Sequence, residues 1–152
     1  MDLSGLYQEI ILDHYKHPRG KNALDSPLAS AHHVNPTCGD EVTVEVAADE
    51  HGHLLIGYDG QGCSISQASA SVMAELLEGA SVEDSIAVRE AFVAMMHSQG
   101  NHEPDEDVIG DGVAFVGVAK YPARVKCALL PWMALQDAEI KAGLMAPQEE
   151  TR

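Results

Sequence analysis

The hexapeptide Asn35-Pro36-Thr37-Cys38-Gly39-Asp40 places a thiol and a carboxylate two residues apart, with a glycine between them. Two more cysteines follow downstream, Cys63 in the segment Gly60–Ser64 and Cys127 at the end of Arg124–Cys127. The chain of 152 residues has only these three cysteines. An odd number argues against a pure disulfide framework. Each cysteine is therefore a buried apolar filler, a metal ligand or a reactive thiol.

The composition is that of an ordinary globular protein, with 45% apolar and 22% charged residues. No apolar run approaches the ~18 residues that a membrane-spanning helix needs, and the N-terminus lacks a signal-peptide pattern. We therefore expect a cytoplasmic protein with one domain over residues 1–152, whose tail is frayed from about residue 144.

The net charge limits the classes of partner. Twenty-four acidic residues against nine basic ones give a formal charge of −15. Such a surface repels nucleic acids and anionic membranes, so we expect neither as a partner. The acidity either keeps the protein soluble or attracts a basic patch on a protein partner.

The first half of the chain predicts one helix followed by a small sheet. Apolar residues at helical spacing predict a helix over about residues 3–16, with an apolar stripe that docks on the sheet. Residues 18–30 have loop composition. Three short extended runs, at residues 31–35, 42–46 and 54–59, predict a three-stranded antiparallel sheet. Cys38 and Asp40 then lie in one connection, and Cys63 lies just beyond the last strand.

The second half predicts helices. One helix runs from Ser64 to Gly79, and a capping box of Ser81 and Asp84 begins the next, which ends near His97. We expect a solvated acidic loop over residues 100–112, and residues 113–119 are ambiguous between helix and strand. The fold class is therefore α+β, a three-stranded antiparallel sheet with helices on one face.

Two prolines bear on the last helix. Pro122 suits its first turn, because a proline there removes an N–H that would lack a partner in any case. Pro131 lies inside the pattern, where it removes a hydrogen bond to the carbonyl of Cys127. We expect a kink at Pro131, or a helix that begins later than Pro122.

The residue chemistry allows a zinc site of Cys38, Asp40, Cys63 and Cys127, because zinc takes four ligands from thiolate, imidazole and carboxylate groups. Gly39 permits the sharp bend that two ligands so close in sequence require, and Gly60 and Gly62 offer similar freedom before Cys63. Cys127 lies near a helix start, where the dipole favours a thiolate. The spacing Cys38-x24-Cys63-x63-Cys127 is not that of a paired-cysteine zinc ribbon, so spacing alone leaves the filler alternative open.

Three segments of the sequence resemble those of a known family. The hexapeptide, the segment Gly60–Ser64 with the following Gln67–Ser69, and Arg124–Cys127 resemble the three cysteine segments of the IscU/NifU N-terminal family of iron–sulfur assembly proteins. The opening Leu6–Tyr15 followed by His17-Pro18 is similar to the first helix of that family. The similarity extends from residue 3 to about residue 140, and it implies the two-layer α+β fold of the family.

Two features resemble the SufU-type branch of the family. Scaffold proteins have a histidine directly before the third cysteine, where this chain has Lys126, and residues 81–112 lengthen the interval before it. This branch contains zinc-dependent sulfurtransferases. The resemblance implies one zinc ion held by Cys38, Asp40, Cys63 and Cys127.

The same resemblance implies an activity and its partners. Cys38 accepts persulfide sulfur from a pyridoxal-phosphate cysteine desulfurase of the SufS type and passes it to a downstream iron–sulfur scaffold. Arg124 either steers the persulfide or the partner's carboxylates, or forms a surface ion pair. Two alternatives stay open: an IscU-like scaffold that binds a transient iron–sulfur cluster, and an adaptor with structural zinc. His32 and His33 lie near the site but are not expected to be ligands, and His14 is expected to form local hydrogen bonds.

Overall fold

The computed structural model describes residues 4–101 and 105–147. The elements in chain order are α1 Ser4–Lys16, β1 Ala29–Asn35, β2 Asp40–Ala48, β3 Leu54–Gln61, α2 Ser64–Leu77, α3 Val82–Met96, α4 Glu106–Ile109, two 3-10 segments (Gly110–Phe115 and Val118–Lys120) and α5 Pro122–Lys141.

The three strands form one antiparallel sheet in the order β1-β2-β3. Asn35 pairs with Asp40, so the connection between β1 and β2 is the turn at residues 36–39. The alternation of β2 puts Val42, Val44 and Val46 on the buried face. The predicted sheet is confirmed, and each strand extends slightly beyond its predicted bounds.

Helices cover one face of this sheet. Helix α5 packs on β1 and β2, while α2 packs on β3 and on α5. In the core between the layers, Trp132 stacks on Phe92 with ring centroids 4.5 Å apart. Phe115 meets the same Phe92 ring edge-on at 5.8 Å. This arrangement confirms the two-layer α+β prediction.

Helix α1 occupies a different place from the one predicted. It packs mainly on α2 and on the 3-10 segment at residues 110–115, not on the sheet. The sheet face is already covered by α2 and α5, so the stripe of α1, with Tyr7 and Ile11, packs on the helical layer instead. Leu6 and Leu12 stay exposed.

Helix α3 begins as predicted. Ser81 is its N-cap, and its side chain accepts a hydrogen bond from the backbone N–H of Asp84. The helix is joined to α5 by a buried ion pair in which Arg89 Nη1 donates to Glu139 Oε1 at 2.6 Å. Ser85 donates to the other oxygen of Glu139 at 2.8 Å.

The prediction of a solvated loop over residues 100–112 is wrong for its second half. The side chain of Asp105 accepts from the N–H of Asp107 and caps the short helix α4. A 3-10 segment follows, and Ile109, Val113 and Phe115 are buried in the core. Burial of these apolar side chains holds the acidic segment against the core. Residues 113–119 are therefore helical turns, and residues 102–104 of the predicted loop lie outside the described part of the chain.

Helix α5 begins at Pro122 and runs without interruption through Pro131, so the alternative of a later start is wrong. The kink stays a prediction. Pro131 leaves the carbonyl of Cys127 without its helical donor. One residue on, the Ser69 hydroxyl donates to the Ala128 carbonyl at 2.6 Å, and the Trp132 indole N–H donates to Ser69 Oγ at 3.0 Å. These bonds tie α2 to α5 beside the proline.

The chain after α5 turns back onto the core. Gly143 has a positive φ of 75°, and the N–H of Leu144 donates to the Glu139 carbonyl at 2.9 Å. Leu144 packs against the core. Most of the predicted frayed tail, residues 148–152, lies outside the described residues. Among residues 4–101 and 105–147, every helix is too short or too polar to span a lipid bilayer.

Candidate metal centre

Three of the four predicted ligands meet directly. Cys38 lies in the turn between β1 and β2, Asp40 is the first residue of β2, and Cys127 lies in the second turn of α5. One ligand atom from each lies within 4.8 Å of the other two. The two sulfur atoms are 3.3 Å apart. The turn, the sheet and the last helix therefore converge on one point.

Cys63 joins this cluster through Asp40. It lies between β3 and α2, and its backbone N–H donates to Asp40 Oδ1 at 2.8 Å. Its sulfur lies 3.7 Å from Asp40 Oδ2 and 3.9 Å from Ser66 Oγ. The sulfur of Cys63 is outside the 4.8 Å group of the other three. The structure thus places all four residues at one centre, with Cys63 at its edge.

Two glycines allow the backbone to make this approach. Gly39 has a φ of 69°, which is the bend predicted between Cys38 and Asp40. Gly62 has a φ of 147°, and a β-carbon there would overlap the Asp40 carboxylate and lie 2.8 Å from its Cα. Gly60 does not use the conformational freedom expected of it, because its φ is not positive. A side chain there would collide with the Glu41 carbonyl.

The electrostatics of the centre favour a cation. Asp40 is 1% exposed, and no lysine or arginine in residues 4–101 and 105–147 forms an ion pair with it. A buried carboxylate without a compensating charge is costly, and a metal ion compensates it. Burial raises the pKa of the Cys127 thiol above its ordinary range, and hydrogen bonds with Asp40 and Cys38 raise it further. Three sulfur donors and one carboxylate fit zinc.

One residue at this centre was missed by the sequence reasoning. Asn35 is 9% exposed, and its amide nitrogen donates to Cys127 Sγ at 3.8 Å. Its carbonyl accepts from the backbone N–H of Cys38 at 3.2 Å. Asn35 is thus hydrogen-bonded to both Cys38 and Cys127. The available signal was its place at the start of the hexapeptide.

The remaining predicted residues lie around the centre. His32 bonds with Thr43, and His33 bonds with Asp137, so both have partners other than the cysteine cluster. Arg124 and Lys126 are exposed at the start of α5. Within the described part of the chain, the Arg124 side chain forms no ion pair, in contrast to the surface ion pair considered for it.

His14 contradicts the expectation of local hydrogen bonds. Its ring is fully buried, and its partners are Ser71 of α2 and Asp111 of the first 3-10 segment. The inward position of α1 on the helical layer explains these long-range contacts.

Comparison with known sequences matches residues 6–128 to the family described as NifU-like N terminal domain. The chain belongs to this family. The matched NifU-like region begins in α1 and ends just past Cys127, so it contains every residue of the centre. The resemblance seen in the three cysteine segments is confirmed.

Relatives and solved structures cover nearly the whole NifU-like chain. The zinc-dependent sulfurtransferase SufU of Bacillus subtilis is 39% identical over 92% of this chain and 93% of its own length. The iron–sulfur cluster assembly scaffold protein IscU of Streptococcus pyogenes is 38% identical over 90% of this chain and 84% of its own. The crystal structure of a nitrogen-fixing NifU-like protein (N-terminal) from Brucella abortus is 28% identical, with a TM-score of 0.82 over 95% of this chain and 99% of that one.

Proposed function

We propose that this NifU-like protein is a zinc-dependent sulfurtransferase of iron–sulfur cluster assembly. It takes persulfide sulfur from a pyridoxal-phosphate cysteine desulfurase of the SufS type onto Cys38 and delivers it to an iron–sulfur scaffold in the cytoplasm. The observation that carries the proposal is that the thiols of Cys38 and Cys127 meet the buried carboxylate of Asp40, with the thiol of Cys63 beside that carboxylate.

The proposed zinc ligands are Cys38, Asp40, Cys63 and Cys127. When bound, zinc holds cysteine ligands as thiolates near neutral pH. Asp40 supplies the harder oxygen ligand, and the N–H of Cys63 fixes the orientation of that carboxylate. Asn35 donates to Cys127, as outer hydrogen bonds to ligands do in metal sites.

The accessibility of the thiols supports Cys38 as the acceptor. Cys127 is fully buried, whereas Cys38 and Cys63 are half-buried. Of these two, Cys63 contacts Asp40 and Ser66 through its sulfur. Within residues 4–101 and 105–147, the sulfur of Cys38 has only the Cys127 sulfur as a hydrogen-bond partner. Cys38 is therefore the thiol that a partner protein reaches with least disturbance.

The transfer step balances without an oxidant. The Cys38 thiolate attacks the outer sulfur of the partner's persulfide, and a new S–S bond forms at Cys38. The S–S bond of the donor breaks, and the partner's cysteine leaves as a thiolate. Arg124 lies one helical turn before Cys127 with its side chain exposed. Its guanidinium is the proposed contact for the anionic persulfide or for carboxylates of the partner.

A second candidate function is that of a scaffold for a transient iron–sulfur cluster. The observation that favours it is the name of the Streptococcus pyogenes relative, which is nearly as similar as the sulfurtransferase. The same cysteines would serve as cluster ligands. Lys126 counts against this function, because a lysine there cannot replace the histidine ligand of scaffold proteins. The third alternative is an adaptor protein in which zinc has only a structural role.

The test is sulfide release by a SufS-type cysteine desulfurase with this protein added in zinc-loaded or zinc-stripped form. We expect strong stimulation by the zinc-loaded wild type. Cys38→Ala should abolish it, because the accepting thiol is gone. The matched control is Thr37→Ala, which alters the same exposed turn and keeps all four proposed ligands.

Zinc content is measured for every variant, so that loss of the metal is separated from loss of the acceptor. Mass spectrometry of the wild type should show one added sulfur on Cys38. Full sulfur acceptance by Cys38→Ala would overturn the acceptor assignment. Absence of stimulation in both forms, together with binding of iron and sulfide, would favour the scaffold.

A further inference from the structure

A second group of metal-ligating side chains lies where α1, α2 and the first 3-10 segment meet. His14 of α1, Glu75 of α2 and Asp111 of the 3-10 segment each bring one ligand atom within 4.8 Å of the other two. His14 Nε2 lies 2.8 Å from Asp111 Oδ2 and 3.8 Å from Glu75 Oε1. Three separate elements therefore direct one nitrogen and two carboxylate oxygens toward a common point.

These spacings fit the coordination sphere of a small divalent ion. Metal–ligand bonds of about 2.1 Å at right angles put neighbouring ligand atoms roughly 3 Å apart. The observed 2.8 Å and 3.8 Å lie on either side of that value. An ion is thus accommodated by small movements of the two carboxylates, whose side chains are 44% and 45% exposed.

The histidine is held in one orientation. Its ring is fully buried, and Nδ1 lies 2.7 Å from Ser71 Oγ. The same hydroxyl oxygen accepts the backbone N–H of Arg19 at 2.9 Å. With Nδ1 donating to Ser71, the lone pair of Nε2 points toward the two carboxylates. A hydrogen bond on the second ring nitrogen is the usual support of a histidine metal ligand.

The local charge is incompletely compensated. Arg19 Nε lies 3.3 Å from Glu75 Oε2, which leaves Oε1 facing His14. The guanidinium also bonds Asp13 at 2.8 Å. Within residues 4–101 and 105–147, Arg19 is the only arginine or lysine that forms an ion pair with any of the carboxylates of Asp13, Glu75 and Asp111. A protein of net charge −15 also concentrates cations at its surface.

We propose that His14, Glu75 and Asp111 bind a divalent first-row metal ion, which clamps α1 to α2 and to the 3-10 segment. One imidazole and two carboxylates, with positions left for water, suit ions such as Mn²⁺. This site is separate from the thiol centre. Glu75 lies twelve residues after Cys63, which along α2 is roughly 18 Å.

Mn²⁺ is the probe, because it favours oxygen and nitrogen donors over the thiolates of the first centre. The zinc-loaded protein is titrated with Mn²⁺, and free ion is measured by electron paramagnetic resonance. We expect one saturable site per chain. Glu75→Gln and Asp111→Asn should each weaken it at least about tenfold. These partly exposed carboxylates are preferred to His14, whose replacement in the interior can unfold α1.

The matched control is Asp107→Asn, which removes a nearby exposed carboxylate outside the cluster. It should bind Mn²⁺ like the wild type. Bound Mn²⁺ should also raise the melting temperature of the wild type and of Asp107→Asn, but not that of Asp111→Asn. Absence of a saturable site would overturn the proposal, as would equal binding by Asp111→Asn and the wild type, or equal losses in Asp107→Asn and Asp111→Asn.

Discussion

At the residue scale, the tightest backbone approach in the metal centre is that of Gly62 to Asp40. A β-carbon at Gly62 would overlap the Asp40 carboxylate, and the φ of 147° is unfavourable for any other residue. We predict that Gly62→Ala displaces Asp40 and weakens zinc binding by about tenfold or more, because a ligand moves. Competition with a chromogenic chelator measures this affinity.

Gly39→Ala is the control for backbone strain alone. Gly39 also has a positive φ, but a β-carbon there meets no atom within 4 Å. The Gly39→Ala substitution should lower the free energy of unfolding by roughly 1–2 kcal/mol, because alanine is strained in the left-handed conformation. It should leave the position of Asp40 unchanged. A larger loss of zinc affinity in Gly39→Ala than in Gly62→Ala would contradict the role given to Gly62.

The buried thiol of Cys127 predicts a pH dependence. Its pKa is raised by burial and by its hydrogen bonds with Asp40 and Cys38, so the metal-free chain retains this proton at neutral pH. Zinc must displace the proton. Affinity should therefore rise with pH between 6 and 8, with a contribution from Cys127 of about tenfold per pH unit. Chelator competition across this range measures the slope, and an unchanged slope in Cys127→Ala would contradict the prediction.

The residues of the centre could be predicted to different degrees. Three motifs predict Cys38, Asp40, Cys63 and Cys127 as ligands, and their binding of a metal stays a prediction. The structure brings ligand atoms of Cys38, Asp40 and Cys127 within 4.8 Å of one another and places Cys63 beside Asp40. Asn35 was missed as a thiol partner because an amide in a turn has no periodic pattern. The role of His14 was misjudged, because its partners Ser71 and Asp111 lie 57 and 97 residues away in sequence.

At the scale of elements, the buried ion pair of Arg89 and Glu139 joins α3 to α5. The two side chains are 2% and 0% exposed. We predict that Glu139→Gln lowers the free energy of unfolding by about 3–5 kcal/mol, because the arginine charge stays buried without its partner. Urea denaturation of the zinc-loaded protein measures the change.

The exposed pair of Lys141 and Asp137 in the same helix is the control. The lysine side chain is 54% exposed, so Lys141→Gln should cost less than about 1 kcal/mol. The double variant Arg89→Met/Glu139→Leu should recover much of the stability, since it removes both buried charges. Equal losses in Glu139→Gln and Lys141→Gln would contradict a special role of the buried pair.

The bounds of most elements could be predicted because local signals fix them. Alternating valines predicted β2, the cap at Ser81 predicted the start of α3, and Pro122 predicted the start of α5. The segment at residues 106–115 could not be predicted, since its acidic composition indicates a loop while its buried Ile109 and Phe115 hold it on the core. The predicted packing of α1 on the sheet was also wrong. An apolar stripe does not say which surface is free to receive it.

At the scale of the whole molecule, the apolar core consists largely of residues other than the four proposed metal ligands, of which Cys127 is fully buried. The apolar cluster that fills the space between sheet and helices includes no cysteine in the described part of the chain. We predict that zinc removal lowers the melting temperature but leaves a folded, cooperatively melting chain. Zinc bound only by the folded state adds about 4 kcal/mol when its free concentration is a thousand times Kd.

Circular dichroism of zinc-loaded and chelator-treated protein tests this prediction. Retained helical signal with a lower melting temperature is expected. Loss of the folded signal on zinc removal would contradict it and would support the structural-zinc adaptor.

The two thiols that meet at the centre are far apart in sequence, because Cys127 lies 89 residues after Cys38. During synthesis the sheet and its first two thiols therefore emerge from the ribosome well before α5 does. A nascent chain displays Cys38 and Cys63 with no third sulfur to complete the set. We therefore expect the proposed zinc site to be completed only after α5 has emerged, because a product truncated before α5 lacks Cys127 and with it one of the four proposed ligands.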